Sequence, residues 1–204
     1  MAKVALIGAS GAAGSRILKE LSVRGHIVTG IARSPEKIAA LPGVTRVKAD
    51  VFDKDALAQA LRGHDAVVSA VHFTASDAQT LVDAVRACGV KRYIVVGGAG
   101  SLEIAPGKRL LDQPDFPAAY KDEATKGAEF LDLLRHSVND LDWTFISPSA
   151  LFVPGERTAK FRLGKDQLLS TEAGSSISFE DFAIALVDEL EKPSHIRQRF
   201  TVGY

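Results

Sequence analysis

The chain has 204 residues, 46% hydrophobic and 25% charged, a balance that suits one globular domain spanning 1–204 around a single core. Lys and Arg number 25 and so do Asp and Glu, so formal net charge is zero and the overall basic field that attracts nucleic acid or an anionic membrane surface is missing. The single cysteine, Cys88, excludes an internal disulfide and leads us to expect a reducing, cytoplasmic setting, and no run approaches the roughly 20 apolar residues of a membrane helix.

The first predicted element is a strand at Val4–Ile7, whose apolar run breaks at Gly8, sooner than the core of a secretion signal should. Further strands are expected at Ile27–Ala32, Thr45–Ala49, Ala66–Ala70, Tyr93–Val96, Trp143–Ile146 and Arg199–Val202. Several are nearly unbroken apolar runs, the pattern of parallel strands covered on both faces. Amphipathic helices fall between them. Ile17, Leu18 and Leu21 form one stripe, with Gly25 placed to close the helix in a left-handed conformation. Leu81, Val82 and Val85 form a second, stopped by Gly89, with Cys88 as a small buried apolar residue. Phe130, Leu131 and Leu134 form a third, and Phe182, Ala183, Leu186, Val187 and Leu190 a fourth that ends before Pro193.

This alternation predicts an α/β fold, a doubly wound parallel sheet with right-handed crossovers and helices on both faces. Two stretches, about 101–119 and 148–178, lose the periodicity. They are expected to lie as substrate-side loops over the carboxyl ends of the strands, where ligands bind in open sheets of this kind.

Gly8, Gly11 and Gly14 sit three apart at the first strand-to-helix turn, in GASGAAGS. Such a turn lets backbone approach a pyrophosphate, and the helix behind it offers unpaired N–H groups and a favourable dipole. Gly8 suits the tight turn, Gly11 the close approach and Gly14 the packing of helix on strand, which implies a dinucleotide-binding, Rossmann-type domain. The second strand ends in IARSPEK, with Arg33 and Ser34 where an NAD-binding protein places an acid for the ribose hydroxyl. Arginine there suits a 2′-phosphate, so NADP (NADPH) is favoured over NAD.

VALIGASGAAGSRIL, the IAR strand end, KADVFD, VVGGAGS and the closing SFEDFAIALVDELEKPSHIRQRFTVGY together resemble the atypical short-chain dehydrogenase/reductases. Within them the chain is most similar to the NAD(P)H-binding group described as NADH-flavin reductases, related to biliverdin reductase B and the NmrA-like proteins. The resemblance implies phosphate contacts from Ser10, Gly11, Ala12 and Ala13, and a 2′-phosphate contact from Arg33 with Ser34. It implies Asp50 and Val51 near the adenine, Ala70 and Val71 along the cofactor, Gly98 and Ser101 toward the nicotinamide, and Ser147 and Pro148 on its other side. For Asp50 a helix-capping role, and for Ser101 an ordinary loop role, stay open.

Carbonyl-reducing members use Tyr-x-x-x-Lys, the tyrosine as acid and the lysine as its partner on the ribose. In YKDEATKGAEFL, Lys126 takes the lysine's place by resemblance, Asp122 stands four residues before it, and Tyr120 is two residues early. A flavin takes its proton from solvent, so loss of the acid shifts weight toward a flavin (FMN or FAD) or another planar small-molecule acceptor such as a quinone. Ser101, Lys126 and His72 are the candidate catalytic residues; Phe73, Phe152 and Arg157 are candidates for the acceptor. The five scattered histidines show no metal-ligand spacing, and Ser101 lacks a nucleophile-elbow motif. A non-catalytic NADP-binding sensor and a nucleotide-sugar epimerase or dehydratase are the competing readings, and both monomer and homodimer stay open.

Overall fold

The computed structural model describes all residues, 1–204. In chain order it runs β1 (Lys3–Ile7), α1 (Ala12–Val23), β2 (Ile27–Ala32), β3 (Val44–Lys48), α2 (Lys54–Leu61), β4 (Ala66–Ser69), α3 (Ala78–Cys88) and β5 (Arg92–Val96). A hairpin of β6 (Glu103–Ala105) and β7 (Lys108–Arg109) leads to α4 (Lys121–Ser137) and β8 (Asp142–Pro148). Then come β9 (Leu151–Val153), β10 (Arg162–Gly164), β11 (Ser176–Ser178), α5 (Phe179–Glu191) and β12 (Gln198–Gly203).

Eight strands form the main sheet in the order β10-β12-β8-β5-β4-β1-β2-β3. All neighbours are parallel except β10, which lies antiparallel on β12. The chain runs outward from β1 through β2 to β3, then returns to β4 on the other side of β1. The order therefore reverses between β1 and β4, and that crevice is where a sheet of this kind leaves room for a ligand.

The unbroken apolar runs follow from burial on both faces. In β1, Val4 and Leu6 join α1 and α5 on one side, through Ile17, Leu18, Leu21, Phe182 and Leu186. Ala5 and Ile7 face the other side, where Leu57, Leu81, Val85, Phe130 and Leu134 bring in α2, α3 and α4. Two helices cover one face and three the other, as the doubly wound pattern predicts.

The local stop and start signals act as expected. Gly89 ends α3 at φ 82°, and Gly25, just past α1, has φ 77°. Asp53, Asp77 and Ser178 cap α2, α3 and α5, accepting from the backbone N–H of Ala56, Thr80 and Asp181. The stretch 148–178, expected to be irregular, instead carries β9, β10 and β11, with β9 and β11 paired in a small sheet of their own. Each is only three residues long, too short to show a period of two in the sequence.

Two hydrogen bonds from Thr80 hold the Asp77 carboxyl below the usual carboxylate range. A depressed carboxylate adds stability at pH above its unfolded value and loses it as pH falls through the folded value. Asp77→Ala should therefore cost about 1 kcal/mol at pH 7. Urea titrations repeated below about pH 4 should show that difference shrinking.

Candidate functional site

A cleft of about 730 Å³ opens along the carboxyl ends of β1, β2, β3, β4, β5 and β8. Its size is that of a pocket for a small molecule or cofactor. Gly8 turns the chain at φ 84°, and its N–H donates to the Ile31 carbonyl of β2. A Cβ on Gly8 would stand 2.3 Å from the Ala70 oxygen, and one on Gly14 would stand 2.0 Å from the Gly8 oxygen. The first and third glycines are thus demanded by sterics. Gly11 has more room, 3.3 Å, and opens α1 with no side-chain cap and no acid in the first turn.

That uncapped helix end opens onto the cleft, where Ser10, Gly11, Ala12 and Ala13 line the wall. Its N–H groups form a natural anion cradle. Arg33, exposed at the end of β2, lines the same cleft, and its guanidinium makes no ion pair or hydrogen bond within the protein. Ser34 and Asp50 are adjacent in the chain but do not line the cleft, whereas Ala49 and Val51 do. The Asp50 carboxylate accepts from the N–H of Phe52, and Asp53 rather than Asp50 caps α2. Gly14 is likewise set back, packed on Gly8.

Past the switch point, Ala70, Val71, His72 and Phe73 follow β4, and Gly97, Gly98, Ala99 and Gly100 follow β5. Leu110, Phe116 and Tyr120 line the cleft before and at the start of α4, and Pro148, Phe152 and Phe179 line it from the end of β8 to the start of α5, with the Phe179 ring 5.7 Å from the Arg16 guanidinium of α1. Phe152 is half-buried, with its ring 4.5 Å from that of Phe179. The expectation for Phe73 needs correction: it is buried in a cluster with Phe130 and Phe145, at 6.1 and 6.3 Å. With most of its ring committed there, it lines the cleft as part of its floor and leaves little free face for stacking.

Ser101 and Ser147 are also corrected. Neither lines the cleft; both hydroxyls accept from the buried guanidinium of Arg199 at 3.3 Å. Asp166 pairs with Arg199 at 2.6 Å. Burial pushes the Asp166 carboxyl up, but Arg199 and Arg135 hold it below the usual carboxylate range. Arg157 is not in the site at all: it makes a two-pronged pair with Glu20 of α1, at 2.8 and 2.9 Å.

The helix α4 presents Tyr120, Glu123 and Ala124 to the cleft, with Gly127 against the Phe73 ring. These positions follow the i, i+3, i+4, i+7 rhythm of one helix face. Lys126 lies off that stripe, exposed, with its charge felt by Asp77 at the start of α3. Helix phase therefore leaves the expected lysine, Lys126, off the cleft wall, while Tyr120 lines the cleft and the residue one turn on from it is Ala124. Glu123, which sequence reasoning missed, accepts from the backbone N–H of Phe73 and Thr74, the Thr74 hydroxyl and the His72 ring at 3.2 Å. Burial raises its carboxyl, but those bonds outweigh burial and hold it below the usual range. It clamps the loop after β4, leaving the His72 ring exposed at the cleft edge.

A family model described as NAD(P)H-binding matches residues 8–193. The chain belongs to this NAD(P)H-binding family. It covers nearly all of three solved structures and is covered by them in turn. A Burkholderia pseudomallei protein described as a candidate exported protein is 48% identical, with a TM-score of 0.90 over 100% of both chains. A candidate epimerase from Bacteroides thetaiotaomicron is 43% identical, with a TM-score of 0.93 over 99% of this chain and 96% of that one. A candidate NADH-flavin reductase from Streptococcus pneumoniae is 41% identical, with a TM-score of 0.84 over 100% and 99%. The likeness places the protein among NAD(P)H-binding proteins with a Rossmann-type fold, and the resemblance to the atypical short-chain dehydrogenase/reductases is consistent with a candidate NADH-flavin reductase among its solved relatives.

The geometry fits the cofactor of the NAD(P)H-binding family without help from these names. The turn is bare where a Cβ would collide, the helix end is uncapped, and an unpaired arginine stands one strand away. No helix is long and apolar enough to cross a membrane. No cluster of three His, Cys, Asp or Glu side chains is arranged to hold a metal ion. Gly14→Ala should force α1 off β1, costing about 1–3 kcal/mol. A thermal melt should show the loss, and NADPH fluorescence titration should show weakened binding in the protein that stays folded.

Proposed function

We propose that the protein is an NADPH-preferring reductase that passes a hydride to a flavin or a similar planar acceptor such as a quinone. The observation that carries this reading is the wall of the cleft beyond Gly98. Phe116, Tyr120, Phe152, Phe179 and Pro148 make an apolar, aromatic slot, continuous with the dinucleotide cradle. The slot is open, since Tyr120 and His72 at its edge are exposed. An aromatic slot suits a flat ring held face to face with a nicotinamide. A sensor that sealed the nicotinamide face would have no use for it.

When bound, the cofactor supplies a hydride, and a flavin takes up that electron pair together with one proton from solvent, leaving oxidised cofactor and reduced flavin. The chain's own part is binding, orientation and access. Ser10, Gly11, Ala12 and Ala13 would hold the pyrophosphate, Arg33 would hold the 2′-phosphate, and Val51, Ala70, Val71, Gly98 and Pro148 would shape the groove between. Arg199 ties Ser101 and Ser147 together outside the cleft wall, which leaves both hydroxyls committed to its guanidinium. Carbonyl reduction is disfavoured because Tyr120 lacks a lysine one turn away to support it as an acid. The candidate NADH-flavin reductase among the solved relatives supports the same acceptor class.

Purified protein should oxidise NADPH faster than background when a flavin or menadione is added, and the absence of turnover across both would reject the reading. Arg33→Ala removes a charge-assisted contact worth about 1.5–3 kcal/mol, so the KM for NADPH should rise roughly tenfold or more while that for NADH changes little. Equal effects on both cofactors would remove Arg33 from the 2′-phosphate site.

A further inference from the structure

The two ends of the cleft carry opposite charge. Arg33 is the only Arg or Lys among the lining residues, and it lies with the β1–α1 turn, Ala49 and Val51 at the nucleotide end. The charged lining residues of the far end are Asp115 and Glu123, with His72 beside Glu123 at 3.2 Å. Asp115 is exposed and has no hydrogen-bond or ion-pair partner.

No lysine or arginine lines that end, and most of the cations around it are engaged elsewhere, Arg16 with Glu180 at 3.0 Å among them. The Lys121 ammonium donates to the Leu111 carbonyl and stands over the Phe116 ring at 5.6 Å. Arg109 pairs with Asp112 at 2.7 Å, and Arg199 is buried behind the slot against Asp166. Lys126 and Lys108 are exposed and do not line the cleft, and Arg157 is held by Glu20. The amino end of α4 points its partial positive charge this way, but Asp122 and Glu123 occupy its first turn and already balance it.

We infer that the acceptor is a flat ring system without a phosphate, such as riboflavin or a quinone, in preference to FMN or FAD. The inference rests on the reductase reading of this cleft. An isoalloxazine fits the aromatic slot alike in riboflavin and FMN, so the two differ only in the phosphate. That phosphate meets the unpaired Asp115 carboxylate, with no lysine or arginine among the residues that line this end. The sequence-level expectation that FMN serves as acceptor is thus narrowed to its dephosphorylated parent.

The test is kcat/KM for riboflavin and FMN at saturating NADPH, at low salt and again at 0.5 M salt, roughly a fourfold-shorter screening regime than dilute buffer. Riboflavin should exceed FMN by roughly three- to tenfold at low salt, with the gap narrowing as salt screens the repulsion. Asp115→Lys, a change on an exposed loop, should move the riboflavin-to-FMN ratio toward one or below it. FMN matching or exceeding riboflavin at low salt would overturn the inference and leave the reductase reading standing. No turnover with riboflavin, FMN or menadione would overturn both.

Discussion

The peptide oxygen of Gly8 lies so close under α1 that a methyl group on Gly14 would come within 2.0 Å of it, and a methyl on Gly8 would strike the Ala70 oxygen. Close packing of backbone on backbone at one point ties together the end of β1, the start of α1 and the end of β4. Because the helix is seated there, its uncapped amino end projects into the crevice where the strand order reverses. Because β4 ends against the same turn, the loop of His72, Phe73 and Thr74 leaves it at a fixed angle. Glu123 then clamps that loop to α4, which in turn presents Tyr120 to the cleft. The phosphate cradle and the acceptor wall are thereby held in one register by a few short contacts.

Electrostatics divides what packing has brought together. Several carboxylates elsewhere in the molecule are consumed by pairing: Glu20 takes Arg24 and Arg157, Glu189 takes Arg92 and His195, and Asp166 takes Arg135 and Arg199. Within the cleft, Arg33 and Asp115 are the charges left without a partner, at opposite ends. Free charge in a binding groove acts on whatever enters it, so the two residues define where an anion is welcome and where it is not.

Much of the fold was legible in the sequence because it is written in short-range code. Strand runs, Gly25 and Gly89 as helix stops, and the glycine turn all depend on neighbours within one turn or one strand. The substrate end was harder. Arg157 looked like a loop cation, and only its contact with Glu20, 137 residues away, removes it from the site. Ser101 and Ser147 looked like cleft hydroxyls until Arg199, 98 and 52 residues distant, claimed them. Phe73 reads as a loop aromatic, yet Phe130 and Phe145 draw it into the core. In α4 the family spacing pairs Lys126 with Asp122, whereas helix phase, readable from Glu123, Ala124 and Gly127 with Tyr120 at the cap, sets the cleft-facing stripe and leaves Lys126 outside it.

The central claim is that the cleft presents one face of a bound nicotinamide to an open aromatic slot while the protein covers the other. Stereospecific deuterium transfer tests this directly, with riboflavin or menadione as acceptor and NADPH deuterated at C4 on one face or the other. The account predicts that the NADP⁺ formed keeps all its deuterium from one diastereomer and none from the other, as read by mass spectrometry. Partial retention from both would mean that the nicotinamide is not held in a single orientation, and would contradict the account.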